Sequence, residues 1–378
     1  MVTEGPRGGR EVVSNLAAAA AACWRHGRDV VETTDILVEL ATSIASLDRL
    51  LGPRAHDLPE AVRGLPAELA SPDAPATRAP AVREAEAVLR EATWEARREL
   101  RHDRGEAAPA WSAASRAAVT GALDTAAARG VQHAHGMHLL SALLDDPACR
   151  ATGALTRLGF TQDDILRAVP VGKVVAEEGS PIAFTAGFLA AAGLVRESGG
   201  ALSRRVRHRL SRLVLRPHAG VVLVWLEQEA IRQTVRLGRA DVDSVALLAA
   251  ILSLDEQLRF TRRTIAVPWA ALNAARENLV GHGLDLPTLA SRAVPLPSAV
   301  TAPGRTYHRR DMTGDPPFGR DAADVVEHAR GLPDRRDLGT SHLVLAMLAE
   351  PGCAAHALLA GAVDPARLGR ELSNRLSA

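Results

Sequence analysis

The stretch LGTSHLVLAMLAEPGC, residues 338–353, sets His342 at the start of an apolar run and Cys353 eleven residues later. HGMHLLSALLDDPAC, residues 135–149, repeats it with the same spacing from His138 to Cys149, and the two strings align without a gap. A recurrence of this kind marks a repeated structural unit. Two diverged copies, ETTDILVELA at 32–41 and DVDSVALLAAIL at 241–252, carry Asp35 and Val245 in the histidine's place.

Each copy has one grammar. Upstream lies an alanine-rich helix ending in glycine: LAAAAAACWRHG (16–27), AVTGALDTAAARG (118–130), VWLEQEAIRQTVRLG (224–238) and AADVVEHARG (322–331). Glycine suits the left-handed position that closes a helix. A cap candidate follows, Thr33, Gly136, Asp243 or Thr340, and then a short helix apolar on every side, which must be buried. Pro147 and Pro351 stop that helix in the two clearest copies, and Thr161 and Asp364, the latter followed by proline, cap a closing helix.

Composition agrees with helices throughout. Aromatics are 3% of the 378 residues, apolar content comes largely from alanine and leucine, and charged residues balance to +1. The expected fold is all-α, with four helical repeats forming two pseudo-twofold domains. The first covers 1–170, with an inserted helix at 82–100; a connector covers 171–214; the second domain covers 215–378, with a further inserted helix at 267–281. The alanine run near the amino terminus is too weakly apolar, and too soon interrupted by Arg25, His26 and Arg28, to act as a signal peptide. No strongly apolar stretch of about 20 residues offers a membrane span. Cys23, Cys149 and Cys353 form no disulfide framework, which fits the cytoplasm.

The string Gly339-Thr340-Ser341-His342-Leu343-Val344-Leu345-Ala346-Met347-Leu348 resembles the hallmark of the Clp amino-terminal repeat, roughly Gly-Thr-Glu-His-Leu-Leu-Leu-Ala-Leu-Leu. EAIRQTVRLG (229–238) resembles the family's upstream helix end, and Trp111-Ser112-Ala113 and Phe318-Gly319-Arg320 echo its aromatic-Thr-Pro opening. Two repeats make one domain in that family, so the chain resembles two tandem domains. The family's motor is missing: the sole lysine, Lys173 in VGKVV, lies outside any Gly-x-x-x-x-Gly-Lys-Ser/Thr loop. The resemblance therefore implies a non-catalytic binding protein for a peptide, a protein or a peptide-like molecule. It would serve as adaptor, regulator or decoy of a Clp protease, its partners a Clp unfoldase, the unfoldase's substrates or a cyclic-peptide antibiotic. The expected ligand contacts are Trp111, Ser112, Gly136, Met137, His138, Phe318, Thr340, Ser341 and His342. Family recognition of phosphoarginine uses a glutamate before the hallmark histidine; Thr34, Met137, Ser244 and Ser341 stand there instead, so the resemblance does not carry that activity over.

Other chemistry finds little footing. His342 and Cys353 lie about 15 Å apart if helical, too far to share a metal ion. No HExxH, GxSxG or dinucleotide fingerprint occurs, so neither catalysis nor a cofactor is expected. ALSRRVRHRLSRLVLR (201–216) reads as an amphipathic basic helix, with Leu202, Val206 and Leu210 on one face and Arg204, Arg205 and Arg209 off it. Near-zero net charge and the lack of interleaved aromatics favour an interdomain helix; the alternative is a nucleic-acid-associated regulator that grips phosphates.

Overall fold

Alanine and leucine lose little side-chain entropy on entering a helix, and the alanine-rich segments form helices in both halves of the chain. The computed structural model describes residues 6–70, 80–103, 105–168, 189–196, 221–293, 314–332 and 338–377. They fall into two compact units, Met1–Pro181 and Ile182–Ala378. The described residues are all-α apart from four two-residue strands and isolated bridges. Of the expected connector 171–214 only 189–196 is described, and it belongs to the second unit: Val195 bridges Ile265, and Leu194 O accepts from Ala266 N at 2.8 Å. The expected basic helix 201–216 lies outside the described residues.

The first unit opens with β1 (Arg7–Gly8), α1 (Arg10–Arg25), β2 (Val30–Val31) and α2 (Thr33–Ser43). Three short helical segments follow, α3 (Ala45–Leu51), a 3-10 turn (Gly52–Asp57) and α4 (Leu58–Val62), and then the long α5 (Pro80–Leu100). The pattern resumes with β3 (Ala110–Trp111), α6 (Ala113–Ala128), β4 (His133–Ala134) and α7 (Gly136–Asp145), and ends with α8 (Arg150–Arg157) and α9 (Gln162–Ala168). The strands are reciprocal: β1, before α1, pairs in parallel with β4, while β3, before α6, pairs in parallel with β2. Each half of the unit thereby completes the other. Ala19, Ala20, Leu16, Leu37, Leu40, Leu139, Leu140 and Leu143 from these helices join one continuous core, and burial of a leucine-sized side chain stabilises by about 2 kcal/mol.

The second unit has α10 (Val221–Leu237), α11 (Ser244–Phe260), α12 (Val267–Ala270), a 3-10 turn (Ala271–Asn273), α13 (Ala275–Gly281) and α14 (Leu286–Ala293). It continues with α15 (Arg320–Gly331), α16 (Thr340–Ala349), α17 (Ala354–Ala362) and α18 (Pro365–Ser377). Val242 bridges Phe318 in parallel, with Val242 N donating to Pro317 O and Gly319 N to Val242 O, both at 2.9 Å. That is the geometry of β2 with β3, where Ser112 N donates to Val31 O at 3.0 Å.

Several helix ends follow the expected chemistry and others do not. Gly27, Gly130 and Gly238 take φ values of 63°, 69° and 68° and close α1, α6 and α10, each with the amide one residue further on reaching back into the last turn. Gly331 does not close its helix but is its last residue, φ on the ordinary side. The expected single helix at 267–281 is broken at 271–274, because Asn273 turns its side chain back to Trp269 O, at 2.9 Å, and forward to another helix.

Candidate functional site

The buried helices α2, α7, α11 and α16 present their first turns to other elements of their own unit. In α7 the His135 amide donates to His138 Nδ1 and the Met137 amide to His135 Nδ1, both at 3.1 Å. In α16 the Gly339 amide donates to His342 Nδ1 at 3.3 Å, and in α2 the Glu32 amide donates to Asp35 Oδ2 at 2.9 Å. The recurring histidine is thus a capping residue, a third-position side chain satisfying the amide just before the helix. The caps are Glu32, His135 and Gly339, each one residue before the expected Thr33, Gly136 and Thr340. Asp243 caps as expected, accepting from Ala246 N at 2.9 Å, so Ala246 rather than Val245 is the third-position residue of α11.

The recurring cysteine ends the same helix. Cys149 Sγ donates to Leu143 O at 3.3 Å and Cys353 Sγ to Met347 O at 3.6 Å, in each case the carbonyl six residues earlier. Both residues also stand at the cap position of the next helix, α8 or α17. A small buried thiol therefore fastens the corner between two helices. Burial pushes the Cys353 thiol above its ordinary value and raises Cys23 to about 11, so neither supplies a thiolate nucleophile near neutral pH.

The nine expected contact residues are all buried, and they do not gather in one cleft. Trp111, 4% exposed, donates its indole N–H to Thr93 Oγ1 at 3.0 Å, and Phe318, 3% exposed, lies against Val242. Ser112 caps α6 and reaches the start of α2. Gly136, Met137 and His138 lie instead beside β4 and α1, where a Cβ on Gly136 would come within 2.6 Å of Glu11 Oε1. Thr340, Ser341 and His342 are closed over by the 271–273 turn: Thr340 N donates to Asn273 Oδ1 at 3.1 Å, and Ser341 Oγ donates to Ala271 O at 2.9 Å. A Cβ on Gly339 would collide with the backbone carbonyl of Leu272. The aromatic side chains and hallmark loops consequently offer no free face in this structure.

The polar focus of the first unit is a residue outside that set, Glu68. Its carboxylate accepts from Thr33 N at 2.9 Å, Thr33 Oγ1, Ser112 Oγ at 2.6 Å and Arg150 N at 2.9 Å. It joins the first turns of α2 and α8, where partial positive charge favours an anion. Ala151 N completes the junction by donating to Thr33 Oγ1 at 3.1 Å. Around it, Arg150 pairs with Glu32, whose Oε1 accepts from Glu68 N at 2.9 Å. The second unit builds the same junction from another source. Asp321, in the first turn of α15, accepts from Ser244 N at 2.7 Å, Ser244 Oγ at 2.6 Å and Ala354 N at 3.3 Å, while Ala355 N donates to Ser244 Oγ at 2.9 Å. Nearby, burial pushes the Asp243 carboxyl above its ordinary value against the opposing pull of Arg239.

Asp321 had a sequence signal, an acid in a helix's first turn. Glu68 had none, since its partners lie 35, 44 and 82 residues away. Among the described residues no group of three or more His, Cys, Asp or Glu side chains is placed to hold a metal ion, and no single helix is long and apolar enough to cross a membrane. Comparison with protein families, characterised proteins and solved structures finds no match to this chain.

Proposed function

We propose that the chain is a non-catalytic binding protein built from two tandem domains of the Clp amino-terminal type, each a pseudo-twofold pair of repeats. It takes a peptide or protein, or a cyclic-peptide antibiotic, at the seam between repeats and acts in the cytoplasm as adaptor, regulator or decoy of a Clp protease. The observation that carries this reading is the seam of the first unit. There the first turns of helices from both halves converge on one carboxylate, with Ser112 and Arg150 alongside. A preformed set of oriented donors flanked by apolar surface is what a peptide-binding groove requires. The three cysteines are buried, and the first-turn histidines His138 and His342 accept from backbone amides, so these residues serve the fold rather than a thiol–imidazole pair, which favours binding over catalysis.

The test is direct binding of the purified full chain to a Clp unfoldase and to the unfoldase's isolated amino-terminal domain, followed by its effect on degradation of a standard substrate. Micromolar or tighter binding, with a change in degradation rate, is expected. Salt-sensitive DNA binding without any interaction with the unfoldase would instead place the protein among nucleic-acid-associated regulators.

A further inference from the structure

Glu68 belongs to a stretch of chain held almost wholly by polar contacts. Between Val62 and Ala70, Arg63, Gly64, Pro66, Ala67, Leu69 and Ala70 are exposed, Leu69 to 82%. Leu65 is the apolar anchor, partly buried against the core beside Gly153. The rest is fastening from outside. Arg157 donates to the carbonyls of Ala61, Arg63 and Gly64, at 3.3, 2.6 and 3.4 Å, and Arg150 donates to Val62 O at 3.2 Å. Further along, Ala113 N donates to Leu69 O at 3.0 Å, and Ala70 forms an antiparallel bridge with Ser112. A segment whose backbone is gripped by side chains, which adds one bridge to a neighbouring strand end and places one anionic side chain in a ring of donors, is bound as a peptide ligand is bound.

The second unit supplies an independent contrast. Asp321 fills the equivalent junction from within a twelve-residue helix, and its neighbours Ala322 and Ala323 are buried, so that carboxylate cannot leave without unpacking α15. Glu68 can leave by breaking polar contacts and withdrawing one leucine.

We propose that the segment Arg63–Ala70 is an autoinhibitory strap that occupies the seam of the first unit and is displaced by an extended acidic peptide whose carboxylate takes the place of Glu68. The inference rests on the reading of the seam as a peptide-binding groove. With the strap away, Thr33 N, Thr33 Oγ1, Ser112 Oγ and Arg150 N, which all donate to the Glu68 carboxylate here, face the vacated position and favour another carboxylate, while Glu32 Oε1 is left to accept from the incoming backbone N–H as it does from Glu68 N. The second unit, closed by Asp321, has no such release.

The test uses the full chain as wild type, Glu68→Ala and Arg157→Ala, the last loosening the strap without touching the junction. Hydrogen exchange of the Thr33, Ala113, Arg150 and Ala151 amides is expected to rise at least tenfold in Glu68→Ala. The Leu37 and Leu40 amides inside α2 should keep their protection, and tryptic cleavage after Arg63 should quicken in both variants. A fluorescent peptide of the strap's own sequence, RGLPAELA, is expected to bind Glu68→Ala at least tenfold more tightly than wild type, and the same peptide with glutamine for glutamate is expected not to bind. Equal peptide affinity for wild type and Glu68→Ala, or absence of binding to both, would overturn the strap. So would exchange at the four amides that rises only together with Leu37 and Leu40. Should the strap open as described while the full chain fails to bind a Clp unfoldase, the proposed Clp role falls and the strap stands; the converse pair of results removes the strap alone.

Discussion

The two units solve one problem with different materials. In each, a buried helix and the third helix of the neighbouring half bring their first turns together, and four or more amide and hydroxyl donors need an acceptor. The first unit uses Glu68, carried in on a loop, and the second uses Asp321, already part of a helix. The other buried helix start in each unit differs as well. That of α7 faces the movable end of the Glu11 side chain, whereas that of α16 is sealed by backbone at Leu272 and by Asn273. The first unit's junctions are filled by a loop-borne carboxylate and the end of the Glu11 side chain, the second unit's by a helix-borne carboxylate, an asparagine side chain and backbone. The same chemical requirement is thus met from a loop in one unit and from within a helix in the other.

The largest expected effect separates the two sealed starts. Gly339→Ala should destabilise the second unit by about 3 kcal/mol, the upper range for overpacking, because the colliding atom is the Leu272 carbonyl. Gly136→Ala should cost about 1 kcal/mol, since the Glu11 carboxylate can move aside. Denaturant unfolding of both variants measures the gap, and equal costs would dissolve the contrast.

Next comes the pair Thr33→Val and Thr340→Val. Both hydroxyls are buried at the first position of their helices, but Thr33 Oγ1 bonds to Glu68 and to Ala151 N, while Thr340 Oγ1 has no partner among the described residues. The first change should cost about 2 kcal/mol and the second should be neutral or stabilising by up to about 1 kcal/mol. Thermal melts that show Thr340→Val clearly destabilised would reveal a partner for that hydroxyl.

The corner cysteines should behave alike despite their different units. Cys149→Ala and Cys353→Ala are each expected to lose about 1 kcal/mol, from one thiol contact and a small void. Both thiols should resist Ellman's reagent until the chain is unfolded.

The smallest effect concerns α18. Glu371 is held below the ordinary carboxylate value by His282 and Arg367, and Glu277 by Arg375. A depressed folded value means that the stabilisation is present above the unfolded value near 4.5 and is lost as pH falls through the lower folded one. A shallow decline in melting temperature from about pH 5 to pH 3 should flatten in Glu277→Gln/Glu371→Gln, and salt should weaken it, because Glu277 is exposed and Glu371 partly so.

Much of the helical frame was legible in the sequence, because its signals are local. Gly27, Gly130 and Gly238 close helices where expected, Thr161 and Asp364 cap α9 and α18, and Pro365 opens α18. Asp243 caps α11 where expected, but the caps of α2, α7 and α16 lie one residue earlier than expected; Thr33 and Thr340 are favourable cap types, whereas the amides of Glu32 and Gly339 are satisfied by the third-position Asp35 and His342. The strands are two residues long, too short for any periodicity to reveal. The break at Asn273 follows from a tertiary demand, the need of Thr340 N for an acceptor. The contact residues inferred from the resemblance are buried, while Glu68 became visible only once the fold had brought residues 33, 68, 112 and 150 together.

The measurement closest to the central claim is capture from the protein's own cell extract by the full chain, wild type and Glu68→Ala in parallel, with bound proteins identified by mass spectrometry. A Clp unfoldase or its substrates are expected among the partners, enriched further when the strap is released. Recovery of DNA-bound regulators without any Clp component, or of the same partners after Glu68→Ala at no greater yield, would contradict it.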